Sequence, residues 1–300
     1  MPQNKLLSYL SKLPKPVGIE TPDVSTIKVG GQTLVSTLDF FYPLVESPYM
    51  FGRIAFCNTV SDLYAMGVTD IQEVLMILGV STDMTEDEKD VSTSMMIQGF
   101  TDAATQAKAQ VGGGQTVYNQ WPMMGGCAIA VVKDDGYVMP NHAQPGDVLI
   151  LTKPLGTRFA INAMQWLKTN KEKREKILTE ASESELIEAY YRAEEQMGTL
   201  SLVGAELIRK YQVGACTDVT GFGILGHANY LAQAQKLNLE FVINRLPVYK
   251  GLVKIENKVQ NFKFFEGYAA ETSGGLLMSV SPSKKEALMK ELSERGINSW

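Results

Sequence analysis

Two mixed α/β domains are what this chain predicts, on three observations. Strand-like and helix-like runs alternate along its length. A turn-rich break, Pro140-Asn141-His142-Ala143-Gln144-Pro145-Gly146-Asp147, interrupts them near the middle. The 300 residues suit about two domains of ordinary size. The boundary is placed there, giving an N-terminal α/β domain over 1–145 and a C-terminal α+β domain over 146–300.

Leucines at 6, 7, 10 and 13 recur at helical spacing, and Pro14 and Pro16 end that helix. Val24 to Val29 and Thr33 to Leu38 read as strands joined at Gly30-Gly31, a hairpin signal, with the second strand ending at Asp39. Pro48 suits the first turn of a helix running to Gly67, with Asn58 and Asp62 four apart on one face. Glu73 to Val80 reads as a buried strand. Thr85-Glu86-Asp87-Glu88 is a capping-box pattern opening a helix to about Gln110. A glycine-rich run follows, then an apolar strand, Cys127 to Val132.

The second half restarts with a strand at Val148 to Thr152, followed by two or three helices between about 157 and 210. Lys168 to Lys176, mixed in sign, reads as a solvated helix face. Helix resumes after Gly223. Leu239 to Ile243 and Leu276 to Val280 read as strands, and a helix over 283–295 closes the pattern before Ile297-Asn298-Ser299-Trp300, a strand entry.

Composition narrows the function. The chain is 45% hydrophobic and 20% charged, ordinary for a protein with a sizeable core. Its net charge of −5 gives no electrostatic reason to bind nucleic acid or an anionic membrane. No run reaches 18 apolar residues, so no membrane span is expected, and without a signal-peptide pattern the expected compartment is cytoplasmic. Cys57, Cys127 and Cys216 are far apart and form no Cys-x-x-Cys pair, which leaves them as buried reduced thiols. With two histidines, His142 and His227, a histidine-rich metal site is out.

The aspartates carry the chemical signal. Asp39, Asp62 and Asp218 each lie in a short run of small and polar residues: Ser36-Thr37-Leu38-Asp39, Asn58-Thr59-Val60-Ser61-Asp62 and Thr217-Asp218-Val219-Thr220-Gly221. Each alone reads more readily as an ordinary solvated acid, since binding carboxylates are a minority of all Asp. Together with Gly112-Gly113-Gly114-Gln115-Thr116 they suit a magnesium–nucleotide site, because Mg²⁺ takes hard oxygen ligands and is usually shared between one or two carboxylates and substrate phosphates. The glycine run can serve as an anion-binding nest or as a flexible helix-to-strand connection; the hydroxyl and amide of Gln115-Thr116 favour the nest. Asp62, expected near a helix C-terminus, stands where the helix dipole disfavours an anion, so it needs a cation or hydrogen bonds. Gly221-Phe222-Gly223-Ile224-Leu225-Gly226 matches a dinucleotide fingerprint, but only the short Val213–Cys216 stretch, followed by polar Thr217-Asp218, precedes it, and it reads as a tight turn into a helix. No G-x-S-x-G, P-loop string or Cys–His pair supplies a nucleophile.

These strings, with Gly52-Arg53-Ile54-Ala55, Lys153-Pro154-Leu155-Gly156-Thr157, the run Thr217 to Ala228 and Glu271-Thr272-Ser273-Gly274-Gly275, resemble the selenophosphate synthetase (selenide, water dikinase) family over nearly the whole chain. The resemblance implies a fold shared with aminoimidazole ribonucleotide synthetase, with an N-terminal sheet that pairs across a homodimer. It implies conversion of ATP, selenide and water to selenophosphate, AMP and orthophosphate with Mg²⁺. Carried over by position, Thr37, Asp39 and Asp62 belong to the nucleotide site, Gly113, Gly114, Gln115 and Thr116 meet ATP from the partner subunit, and Asp23, Asp62 and Asp218 hold metal. Glu20-Thr21-Pro22 departs from the family's glycine-rich approach to Asp23. The family also carries a Cys or selenocysteine and an essential Lys before the position matching Met1, so the expectation is a shortened chain that folds and makes no selenophosphate. The alternatives are a non-catalytic nucleotide-binding paralogue and another kinase of the same superfamily.

Overall fold

The structure, a computed structural model, describes residues 23–300 together with Tyr9 and Lys12. Apart from Tyr9 and Lys12, the helix expected over 4–13 lies outside the described residues. The first sheet starts with the expected hairpin: β1 (Ser25–Val29) and β2 (Gln32–Phe41) turn on Gly30 and Gly31, at φ 58° and 82°. Two successive positive φ values are what a tight two-residue hairpin turn requires, and glycine supplies them without strain. β2 runs two residues past Asp39, so Asp39 stands inside the strand and not at its end.

β3 (Glu73–Ser81), β4 (Gln110–Asn119) and β5 (Met123–Lys133) complete a five-stranded sheet in the order β1-β2-β5-β3-β4. All pairs are antiparallel except β3 with β4. Alternation along β2 turns Val35, Thr37 and Asp39 inward and Leu34, Leu38 and Phe40 outward. The inner face is covered by α1 (Pro48–Thr59) and α3 (Glu86–Gln106). Ser47 caps α1 by accepting from the Met50 amide at 3.2 Å, and Pro48 opens its first turn. Thr85 and Glu88 close both bonds of the expected capping box on α3. The two helices cross at Gly52 and Gly99, where an added Cβ would stand 1.9 Å from the carbonyl oxygens of Met96 and Tyr49 respectively.

Two further expectations fail in this half. The helix from Pro48 does not run to Gly67. It breaks at Val60 (φ −98°, ψ −2°) and restarts as α2 (Ser61–Ala65). Asn58 and Asp62 therefore belong to different helices, and Asp62 sits in a first turn, where the backbone dipoles favour an anion. The glycine run is neither a nest nor a loop. It forms part of the exposed edge strand β4, with a bulge where Val74 pairs with Val111 and Leu75 with Gly113. Gly114, at φ 147°, passes so close to Met76 that a Cβ would meet its carbonyl oxygen at 1.8 Å.

The second half is built on an antiparallel sheet ordered β6-β8-β7, from β6 (Val148–Leu151), β7 (Ala215–Asp218) and β8 (Leu276–Val280). Around it stand α4 (Thr157–Thr169), α5 (Lys171–Leu178), α6 (Glu183–Met197), α7 (Leu202–Lys210), α8 (Gly223–Gln233), the short α9 (Leu252–Ile255) and α10 (Pro282–Glu294). The solvated run Lys168 to Lys176 spans the junction of α4 and α5, where Asn170 caps the second helix. Leu239 to Ile243 is no strand. A cavity of about 1060 Å³ separates it from β6, so its backbone has no ladder to join. Trp300 does pair with Leu151, exchanging hydrogen bonds of 3.0 Å in both directions. One apolar cluster runs through both halves, from Val35, Phe56 and Phe100 to Phe159, Leu186 and Leu252.

Candidate active site

α2 packs against β7, and that contact brings three sequence-distant acids together. β2 supplies Asp39, α2 supplies Asp62, and β7 ends at Asp218, with Asp23 just before β1. The Thr37 hydroxyl donates to Asp62 Oδ2 at 2.5 Å, and Asn58 Nδ2 donates to Asp39 Oδ2 at 3.1 Å. The Ser61 hydroxyl donates to Asp218 Oδ2. These partners are neutral, so the hydrogen bonds orient the carboxylates without cancelling their charge.

The electrostatics show the cost. Burial, then the charge of Asp218, pushes Asp23 up to about 7. Burial and Asp218 do the same to Asp39, again to about 7, against the opposing Asn58 hydrogen bond. Asp62 is held well above the usual carboxylate range by burial first and then by Asp218, Asp39 and Asp23. In a low-dielectric seam the repulsion between these acids is felt with little screening. Asp23 Oδ2 is buried without a hydrogen-bond partner. A sealed carboxylate oxygen beside three more acids is a donor set of hard oxygens, the kind Mg²⁺ takes. Among the described residues no group of three or more His, Cys, Asp or Glu is placed so as to hold a metal ion by itself. Mg²⁺ suits that arrangement, since it keeps waters and shares ligands with phosphate instead of relying on an all-protein cage.

The glycine stretch is not part of this cluster within one protomer. Gly113, Gly114, Gln115 and Thr116 lie on β4, and β5 and β3 stand between that strand and the β2 strand of Asp39.

A supporting layer escaped the sequence reading. The Ser273 amide donates to Asn58 Oδ1 at 2.8 Å, tying the Asp39 partner to the loop before β8. Ser273 takes a positive φ of 45°. Its carbonyl accepts from the buried Lys153 ammonium at 2.9 Å, and Thr199 O accepts from the same group at 2.7 Å. Burial lowers Lys153 to about 8. Glu271, fully buried, accepts from the amides of Gly156 and Thr157 at 2.8 Å each and from the Thr157 hydroxyl at 2.5 Å. It closes the N-terminus of α4, and burial pushes it up to about 7 against those three bonds. The available signal was a charged residue among small or apolar neighbours, in Leu151-Thr152-Lys153-Pro154-Leu155 and Ala270-Glu271-Thr272-Ser273-Gly274. His227 lies beside the cluster, with Nε2 3.2 Å from the Thr220 hydroxyl.

Comparison with known proteins places this geometry in context. Residues 22–132 match the AIR synthase related protein N-terminal domain and residues 144–300 its C-terminal domain. The chain is 45% identical to selenide, water dikinase of Dictyostelium discoideum over 295 residues, which cover 98% of this chain and 80% of that protein. It is 40% identical to the probable selenide, water dikinase of Caenorhabditis elegans, at 98% and 80% coverage. It is 46% identical to selenide, water dikinase 2 of Mus musculus over 90% of this chain, and spans 59% of that longer protein. Among solved structures, AaThiL complexed with AMPPCP and TMP superposes with a TM-score of 0.70 at 21% identity, covering 94% of this chain and 86% of that one. T. maritima PurL complexed with ADP gives 0.61 at 15% identity, with 97% and 43% coverage. At these identities the structural matches speak for the fold alone.

Proposed function

The chain belongs to the selenide, water dikinase family, whose members are kinase-type phosphotransferases, and from that membership we propose that its carboxylate cluster is the Mg²⁺–ATP site of selenophosphate synthesis. The reaction takes ATP, selenide and water to selenophosphate, AMP and orthophosphate. The observation that supports it is the meeting of Asp23, Asp39, Asp62 and Asp218 in one seam, hydrogen-bonded to neutral groups only, with Asp23, Asp39 and Asp62 raised by burial and then by neighbouring carboxylate charge. A protein sustains that repulsion where a bound cation removes it.

Asp23, Asp62 and Asp218 would hold the metal, with Thr37 and Asp39 on the nucleotide side. Mg²⁺, when bound, neutralises charge on the phosphate oxygens, where phosphoryl transfer builds it up. The protein's own part is positioning: Thr37, Asn58 and Ser61 each fix one carboxylate, and because β7 belongs to the second half of the chain, the site is set by the packing of α2 on β7.

The active species in this reading is a homodimer. On the sheet face away from α1 and α3, Ile27, Val29, Leu38, Phe40 and Val131 are each at least 40% exposed. A contiguous apolar sheet face of that kind marks an interface. Pairing there would let a partner subunit offer its edge strand, with Gly113 to Thr116, to the nucleotide. Cytoplasmic residence accords with three unpaired cysteines, Cys57, Cys127 and Cys216. Among the described residues no helix is long and apolar enough to cross a membrane.

Calorimetric titration of the protein with ATP, with and without Mg²⁺, tests the site. Binding heat should require Mg²⁺ and vanish in Asp62→Ala. Assay of selenide-dependent AMP release tests the reaction. Metal-independent heat, or ADP as the product, would refute the assignment.

A further inference from the structure

We propose a second, smaller ligand site: the cavity between the Pro43–Glu46 loop and helix α4 binds a tetrahedral oxyanion through Arg158. The cavity holds about 300 Å³ and is walled by the loop on one side and by Arg158, Asn162, Gln165 and Lys168 of α4 on the other, with Tyr190 of α6 completing it. That is room for a phosphate-sized anion and several waters.

Arg158 is the unusual member. It occupies the first turn of α4, where the helix dipole disfavours a cation. Burial lowers its pKa, and the charge opposing that fall is Glu271. Yet the Glu271 oxygens are already engaged by Gly156 and Thr157. Among the described residues no acceptor receives a hydrogen bond from the guanidinium; at this position Asn162 Nδ2 donates to the Arg158 backbone oxygen at 2.7 Å. A desolvated guanidinium offers five N–H donors in a planar fork, a match for the edge of a phosphate.

The cavity's other charges do not compete for Arg158. Lys168 and Glu46 neutralise each other at 2.6 Å, and Tyr190 donates to Glu194 at 3.1 Å while accepting from the Glu46 amide at 3.2 Å. An anion on Arg158 would therefore meet a guanidinium whose charge Glu271 answers only through space and whose N–H donors are free among the described residues. It would also tie α4 to the loop that continues β2 beyond Asp39.

The experiment is calorimetric titration with inorganic phosphate in EDTA, so that no metal recruits the anion to the carboxylates, followed by titration with Mg²⁺ and ATP. Wild type should bind phosphate saturably, Arg158→Gln at least tenfold more weakly, and Arg158→Lys in between. Thermal melting of each variant confirms folding. Loss of phosphate binding with Mg²⁺–ATP binding intact supports a free oxyanion. Loss of both supports a phosphoryl group of the nucleotide reaching the same cavity. No saturable phosphate binding by wild type, or equal binding by wild type and Arg158→Gln, overturns the proposal.

Discussion

Replacing Asp39 by asparagine should stabilise the metal-free protein while removing its ability to bind Mg²⁺–ATP. Asp39 stands at about 7 in the fold against 3.8 for an ordinary aspartate, because of burial and the nearby Asp218 charge. A carboxylate whose pKa is raised on folding binds its proton more tightly in the native state. Its stabilisation is therefore complete below about pH 3.8 and is lost as the pH rises through 7. At about 1.4 kcal/mol per pKa unit, a shift of some three units costs up to ~4 kcal/mol at pH 8. The side chain is partly open to solvent, which reduces this to about 2–4 kcal/mol. At pH 5 only about one unit of the shift is expressed, so the penalty there is roughly 1–2 kcal/mol. Asp39→Asn removes the charge and keeps an oxygen that can accept from Asn58. Urea denaturation in EDTA, followed by tryptophan fluorescence, should show the variant gaining about 2 kcal/mol more over wild type at pH 8 than at pH 5. Added Mg²⁺ and ATP together should raise wild-type stability at pH 8 and leave the variant unchanged. A variant destabilised equally at both pH values would mean that Asp39 contributes packing or hydrogen bonding, and the electrostatic account of the seam would fall.

Two further outcomes follow from the packing. Gly99→Ala places a Cβ 1.9 Å from the Tyr49 carbonyl oxygen, so the α1–α3 crossing must open; a loss of about 1–3 kcal/mol is expected in chemical denaturation, and an unchanged midpoint would show that the helices adjust freely. Phe40→Asp puts a charge on the exposed apolar sheet face, and sedimentation should show the proposed dimer giving way to monomer with the fold intact by circular dichroism.

Local chemistry was readable wherever neighbours in sequence settle the structure. The Gly30-Gly31 turn, the helix start at Pro48 and the Thr85–Glu88 capping box all depend on residues within a few positions of one another, and all three form as expected. The motif strings identified the family before any coordinates. The misses have a different origin. Nothing in the run from Pro48 to Gly67 forbids one long helix, and the break at Val60 is favoured by the docking of α2 on β7, more than 150 positions away. Gly112 to Thr116 carries the composition of a loop, yet extends because β3 offers a parallel partner. Leu239 to Ile243 carries the composition of a strand, yet faces a cavity instead of a partner. Strand propensity describes a residue's fit to a pleated surface and cannot supply the neighbouring strand.

The primary structure by itself determined that acids, hydroxyls and glycines of the right kinds are present in the right order, since side-chain chemistry and turn conformations are properties of short segments. What it could not decide is which oxygen faces which. Asp62 beside Thr37, Asp39 on Asn58, Asn58 on Ser273 and Ser61 on Asp218 are meetings across 19 to 215 positions. Burial and mutual repulsion, which raise Asp23, Asp39 and Asp62, exist only once those segments share a low-dielectric seam, because electrostatic energy depends on distance in space and on the surrounding dielectric, not on separation along the chain.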